Sequence, residues 1–287
     1  MARQKEGIGV RSGFLLPHPP VLIPEIGRGR ERDAGKTGAA CIHVAEMVAE
    51  LSPEAIIILS PHAPLFSDFL YMYDSPILTG SFARFGSPEL TLSAVQDTVL
   101  RDALFSQLQG ASIFAGTLPE AQLARMGLDQ NLDHGVLVPL YFLQKKLPKV
   151  PLVALSSPNM DAKTLVLIGE CIAEAARESN RSVCVIASGD MSHRVNKESP
   201  YGVVPEGALF DQKVCNSLEN SDITALRSID TALRVRAGEC GYASLVILSA
   251  IFKNPVCTLY SYEAPFGIGY CVAGLDSYPE GGSHESK

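Results

Sequence analysis

The chain has 287 residues, 46% of them hydrophobic, enough to bury one sizeable core with no obvious linker to divide it. Its formal net charge of −7 is spread along the sequence without a Lys/Arg block, which argues against a nucleic-acid partner, and its apolar runs fall well short of the roughly 20 residues that cross a bilayer. Seven cysteines, an odd number with no Cys-x-x-Cys pair, fit reduced, buried thiols rather than a disulfide framework or a zinc site.

Residues 1–12 carry basic side chains with no apolar stretch behind them, so a flexible start, no secretory leader and a cytoplasmic location are expected. The ordered chain then opens on a β-rich run at 13–16 and an amphipathic helix at 37–51, followed by a fully apolar strand at 55–59 and a strand at 69–73. Further on, helical spacing over 94–108 precedes a short strand at 112–114, a helix at 136–146 precedes a strand at 150–155, and a helix at 163–178 precedes a second fully apolar strand at 183–187. Helices at 208–218 and 242–252 lead to strands at 256–262 and 268–273, whose turn-rich connection at 263–267 suggests a terminal hairpin. The tail 277–287 is polar and expected to be disordered. This alternation predicts a single α/β domain over 13–276, with a central, mostly parallel or mixed sheet covered by helices on both faces. In such a sheet a site forms at the C-terminal ends of the strands.

Histidines sit at those ends. Leu-Pro-His18-Pro-Pro follows the first strand, and Leu-Ser-Pro-His62-Ala-Pro follows the strand at 55–59, with prolines that limit backbone freedom around each imidazole. Glu239, in Ala-Gly-Glu239-Cys-Gly-Tyr before the helix at 242–252, can add a carboxylate; two imidazoles and one carboxylate on one face of a non-haem Fe(II) leave the opposite positions open. Each has a plainer reading, as a loop histidine beside a turn proline or a glutamate favoured at a helix N-terminus. Cys240 is either a thiolate ligand or a core residue. His193 closes Ser-Gly-Asp190-Met-Ser-His193 after the strand at 183–187, where a neutral imidazole can act as general base and Asp190 can orient it or meet substrate. His134 follows Asp133, itself a natural N-cap, and can donate a hydrogen bond to substrate or bound oxygen.

Taken in order, Pro-His18-Pro-Pro, Ser-Pro-His62-Ala-Pro, Leu-Asp-His134-Gly, Ser-Gly-Asp190-Met-Ser-His193 and Gly-Glu239-Cys-Gly resemble the class III extradiol ring-cleavage dioxygenases, the family of the catalytic subunit of protocatechuate 4,5-dioxygenase, over about 13–274. The chain also looks similar to the stand-alone branch related to the Memo proteins. The resemblance implies His18, His62 and Glu239 as ligands of Fe(II) or another divalent metal, and His193 and His134 as active-site histidines. It further implies an aromatic diol and O2 as substrates, and homo-oligomers. In Memo proteins a cysteine takes the carboxylate's place, so the alternative is a Memo-like metal-binding or partner-binding protein without ring cleavage, in which Cys240 would be the third ligand.

Overall fold

In β2 (Ala55–Ser60) consecutive side chains go to opposite sides of a sheet, Ala55, Ile57 and Leu59 into one hydrophobic cluster and Ile56 and Ile58 into another. This explains why the strand is apolar throughout, since a strand with helices on both faces has no solvent side. β8 (Ser182–Ser188) does the same, with Val183, Val185 and Ala187 on one face and Cys184 and Ile186 on the other. The computed structural model describes residues 8–277.

The chain runs β1 (Gly9–Leu16), α1 (Pro24–Gly27), α2 (Gly35–Leu51), β2, β3 (Leu70–Tyr71), β4 (Ile77–Phe82), β5 (Ser87–Val95) and α3 (Thr98–Gly110). It continues through β6 (Ala115–Gly116), α4 (Glu120–Arg125), α5 (His134–Gln144), β7 (Leu152–Ser156), α6 (Ala162–Glu178) and β8. It ends with α7 (Pro205–Glu219), α8 (Ile223–Arg227), α9 (Thr231–Ala237), α10 (Tyr242–Ile251), β9 (Val256–Glu263) and β10 (Tyr270–Asp276). Six strands form one sheet in the order β7-β2-β8-β1-β10-β9. The first four are mutually parallel, whereas β10 runs antiparallel to β1 and pairs with β9 as the expected terminal hairpin. The fold is thus the α/β domain with a mixed sheet that the alternation predicts. α3, α6 and α10 cover one face, and α2 and α5 the other.

Helix starts follow local chemistry. Asp97, Asp133, Asp161, Asp222 and Asp230 each accept a backbone N–H of the helix they precede, which satisfies donors that have no partner inside the helix. α2 buries Thr37, Ala40, Cys41, Val44, Ala45 and Val48, the three- and four-residue spacing of one helical face.

Several boundaries differ from expectation. β1 begins at Gly9 rather than 13, with Gly9 and Val10 already paired to Ser182 and Val183 of β8. The rest of the expected flexible start, 1–7, lies outside the described residues, as does the tail beyond Ser277. The helical spacing read over 94–108 belongs to two elements: Ala94 ends β5, and α3 starts only after the Asp97 cap. β4 and β5 form a separate two-stranded hairpin, registered from Ile77 opposite Val95, that the sequence reading did not anticipate. The strand expected at 69–73 reduces to the two residues of β3, and residues 112–114 are not a strand; the partner of β3 is β6, just beyond them at Ala115–Gly116.

What matters for function is that β2, β8 and β1 lie side by side and parallel, so their C-terminal ends open onto the same edge of the sheet. The loop after β8 meets the turn before α10 at Gly189 and Gly241. A Cβ at Gly189 would lie 2.1 Å from the Gly241 Cα, so only glycine allows the two backbones to touch.

Candidate metal centre

His18 leaves β1 through Pro17 and is 2% exposed. Its backbone N–H donates to Asp190 Oδ1 at 3.0 Å and its ring Nδ1 lies 2.9 Å from Ser188 Oγ. With Nδ1–H donated to that hydroxyl, the Nε2 lone pair is the free coordinating atom. His62 follows β2 by two residues. Its backbone N–H donates to Ser60 Oγ at 3.1 Å, and its Nε2 stands 3.0 Å from His18 Nε2. Burial, followed by the neighbouring His62, His134 and His193, pushes His18 well below the usual imidazole range. Burial also lowers His62, against a smaller upward pull from Asp133. Both rings are therefore neutral and able to coordinate.

The third member is Cys240. Its Sγ is 3.6 Å from His18 Nε2 and 3.6 Å from His193 Nε2, and it accepts the Asp190 N–H at 3.3 Å. One donor atom from each of His18, His62 and Cys240 lies within 4.8 Å of the others. A tetrahedral ion with bonds of about 2.0–2.3 Å separates its N and S donors by roughly 3.3–3.6 Å, so this spacing fits a divalent transition metal. The donor set fits as well, because imidazole and thiolate both bind Fe, Zn and Cu. Burial raises the Cys240 thiol far above its ordinary value, so the thiol is inert until a cation arrives; coordination would release its proton.

Glu239, the carboxylate expected as third ligand, does not join this group. Its Oε2 accepts the Tyr242 N–H at 2.8 Å in the first turn of α10, and its Oε1 is 3.7 Å from Arg234 Nη1. The cause is backbone geometry. Asp190 O accepts the N–H of both Cys240, at 3.4 Å, and Gly241, at 2.9 Å, which fixes the turn so that residue 240 faces His18 while residue 239 reaches forward to the helix. The capping role considered for Glu239 is the one its contacts describe.

The remaining candidates converge. His134 opens α5, and its ring stacks on His62 with centroids 4.2 Å apart and 25° between planes. Burial, then His62 and Arg84, push it down to about 3. His193 stacks on Tyr201 at 5.6 Å and is lowered by burial. Asp190 touches both ends of the cluster, holding the His18 backbone with its carboxylate and Cys240 with its own backbone. It is raised to about 7, first by burial.

Asp133, expected as an N-cap, completes the surroundings together with Ser60 and Tyr73, which were not singled out from sequence. Asp133 caps α5 and also accepts from Ser60 Oγ at 2.6 Å and Tyr73 Oη at 2.9 Å, tying the β2 end to the α5 start. Ser60 lies two residues before His62, the one signal that pointed to it. Beside His62 and His134 opens a cavity of about 500 Å³, lined in part by Tyr73, Phe85, Leu128, Asp129 and Leu132.

Neutral imidazoles, a thiol and an adjoining cavity at the C-terminal ends of parallel strands make a candidate metal site on an α/β fold. The family model of the catalytic LigB subunit of aromatic ring-opening dioxygenase matches residues 12–273, and the chain belongs to this family. A Clostridium acetobutylicum protein is 32% identical over 92% of this chain, which spans 57% of that protein's length. A MEMO1 family protein of Methanosarcina mazei is 25% identical, covering 78% of this chain and 75% of its own. At the same identity, a 2,3-dihydroxyphenylpropionate/2,3-dihydroxicinnamic acid 1,2-dioxygenase of Paraburkholderia xenovorans covers 82% of this chain and 68% of its own. The crystal structure of an uncharacterized Escherichia coli K12 protein superposes with a TM-score of 0.58 at 15% identity, over 92% of this chain and 99% of that one, a likeness of fold.

Proposed function

We propose that this chain is a metal-dependent dioxygenase that opens an aromatic diol with O2, using His18, His62 and Cys240 to hold Fe(II) or a similar divalent ion. The observation that carries the reading is the convergence of these three donors, one of which, His62, also lines a cavity large enough for one substituted ring. Membership of the ring-opening dioxygenase family supports it. Bound there, the ion would supply the Lewis acidity and redox capacity that ring opening by O2 requires.

The protein's own groups have separate tasks. His193, kept neutral by burial, would accept a proton from a diol hydroxyl and return it later. His134, also neutral and stacked on His62, would donate a hydrogen bond to an oxygen of the substrate. Asp190 is a positioning residue, because it fixes His18 and Cys240 relative to each other. Phe85, against the His134 ring at 5.2 Å, would keep water from that side.

The test is to load the protein with Fe(II) without air, add a panel of catechols, and then admit O2. Uptake of one O2 per diol with a yellow ring-opened product supports the reading, and no uptake across the panel overturns it. A second reading, a Memo-like metal-binding protein without ring cleavage, is favoured by one observation: Cys240, not Glu239, stands beside the imidazoles. It expects metal binding that depends on Cys240 and no oxygen uptake.

A further inference from the structure

Asp211 neither belongs to the group of metal donors nor lines the cavity, yet it is only 1% exposed. It stands on the buried face of α7, where Gly207, Phe210, Val214 and Leu218 recur at three- and four-residue spacing and an apolar side chain would be expected. A carboxyl in such a place costs stability unless its oxygens find donors. Oδ1 accepts the Ser192 N–H and Oδ2 the Tyr262 hydroxyl, each at 2.7 Å, so one side chain ties the loop after β8 to both α7 and β9. Gly269 leaves room for it, since a Cβ there would lie 1.9 Å from Asp211 Oδ2.

The two ends of this loop are held differently. Asp190, at its start, is bonded directly to the metal donors' backbone: its Oδ1 accepts the His18 N–H, and its carbonyl accepts the N–H groups of Cys240 and Gly241. His193, at its end, has no such tie. Among the described residues its ring has one hydrogen-bonding neighbour, Cys240 Sγ at 3.6 Å, and it stacks on Tyr201, which is itself 60% exposed. Where that ring stands is therefore set by the backbone behind it. Asp211 holds this backbone at the Ser192 N–H, Gly269 at the Ser192 carbonyl and Ser199 at the His193 carbonyl.

We propose that Asp211 is a positioning residue for His193: through Ser192 it fixes the backbone from which that imidazole reaches a diol hydroxyl, and it does so without helping to hold the ion. For its catalytic meaning the proposal rests on the reading of His193 as the proton acceptor. A proton acceptor works only within hydrogen-bond reach of the proton it takes, so a small displacement of the ring is enough to cost rate.

The experiment compares Asp211→Leu, which keeps the branching of the side chain but offers no acceptor, with Asp211→Asn, whose amide oxygen can still take the Ser192 N–H. The first readout needs no turnover. With isotope-labelled histidine, the NMR signal of the His193 ring, identified by its loss in His193→Ala, should move in Asp211→Leu and keep its place in Asp211→Asn. The His18 and His62 signals should stay where they are in both, and Co(II) affinity should stay within about threefold. The second readout is turnover of catechol by the Fe(II)-loaded protein. In Asp211→Leu kcat should fall about 100-fold with KM within about twofold, as for the loss of one proton acceptor. In a His193→Ala background the same substitution should cost nothing further, because the two residues act as one unit. A His193 signal unmoved in Asp211→Leu overturns the proposal, as does a kcat loss that persists in the His193→Ala background or a parallel loss of Co(II) binding. Should Asp211→Leu not fold, Tyr262→Phe takes its place: it frees one carboxyl oxygen, and a His193 signal unmoved there overturns the proposal equally. No oxygen uptake even by the unmodified protein removes the dioxygenase reading, and the histidine signals alone then decide whether Asp211 places His193.

Discussion

Residues 239 and 240 are neighbours with opposite tasks, and their contacts separate them. Cys240 Sγ stands 3.6 Å from two imidazole nitrogens, whereas the Glu239 carboxylate holds the Tyr242 amide. Cys240→Ser should therefore weaken Co(II) or Fe(II) binding by more than about 100-fold, since altering even residues outside the ligand set costs 10–100-fold. Glu239→Gln should leave metal affinity within about threefold and stability within about 1 kcal/mol, since burial raises the carboxyl and the amide oxygen can still accept the Tyr242 N–H. A metal titration beside a melting curve reads both, and near-ultraviolet thiolate-to-Co(II) absorption should survive only in the glutamate variant. Loss of metal binding in Glu239→Gln with retention in Cys240→Ser would reverse the assignment. A second residue, Asp211, sits behind the loop after β8, where it accepts the Ser192 N–H and the Tyr262 hydroxyl, each at 2.7 Å. Burial outweighs these two bonds and raises it from 3.8 to about 7. A carboxyl whose folded value is raised contributes its stability below its unfolded value, and loses it as pH climbs through the folded one. The protein should thus lose melting temperature between about pH 4 and pH 7 from this group, and the slope over that window should be shallower in Asp211→Asn. An equal slope in both would show that Asp211 ionises freely.

At the scale of elements, the site exists because a loop and a turn from distant parts of the chain share a backbone contact that only glycines permit. Gly189→Ala would put a Cβ 2.1 Å from the Gly241 Cα, so the loop after β8 must draw away from the turn before α10. The expected cost is about 3 kcal/mol, the upper part of the range for overpacking, with a parallel loss of metal affinity because Cys240 moves with the turn. A variant that melts normally and binds metal normally would contradict the role given to this contact. The sequence disclosed such elements unevenly, for physical reasons. β2 and β8 were legible because a strand buried on both faces has no polar position at all. The β4–β5 hairpin was not: Leu90, Leu92 and Ala94 alternate, but Ala94 also starts a helical spacing that runs on through Leu100, Leu104 and Leu108 of α3. Periodicity alone does not locate the change from one period to the other, whereas the Asp97 cap does. The five histidine and acidic motifs were legible because each stands where a strand ends or a helix starts. Which of residues 239 and 240 faces inward was not, because one step of backbone in a turn is set by hydrogen bonds to Asp190, some 50 positions away.

For the molecule as a whole, the three proposed ligands come from the end of β1, the end of β2 and the turn between α9 and α10, so an ion among them would join the first quarter of the chain to its last fifth. A ligand that binds only the folded state stabilises it by mass action, by about 2.7 kcal/mol at a concentration one hundred times its dissociation constant. For a domain of this size that corresponds to roughly 5–10 °C in melting temperature. Adding Fe(II) without air, or Co(II) as a stable stand-in, should raise the melting temperature by that amount, and a chelator should reverse it. The shift should vanish in Cys240→Ser, where one strap of the three is gone, yet persist in Arg84→Met, which alters only the cavity wall. Because binding requires the Cys240 thiol to give up its proton against the burial that raises it, the shift should also grow as pH rises from about 6 to 8. A metal-induced shift of equal size in Cys240→Ser, or one that shrinks over that pH range, would show that the ion binds elsewhere and that the convergence of the three donors serves packing alone.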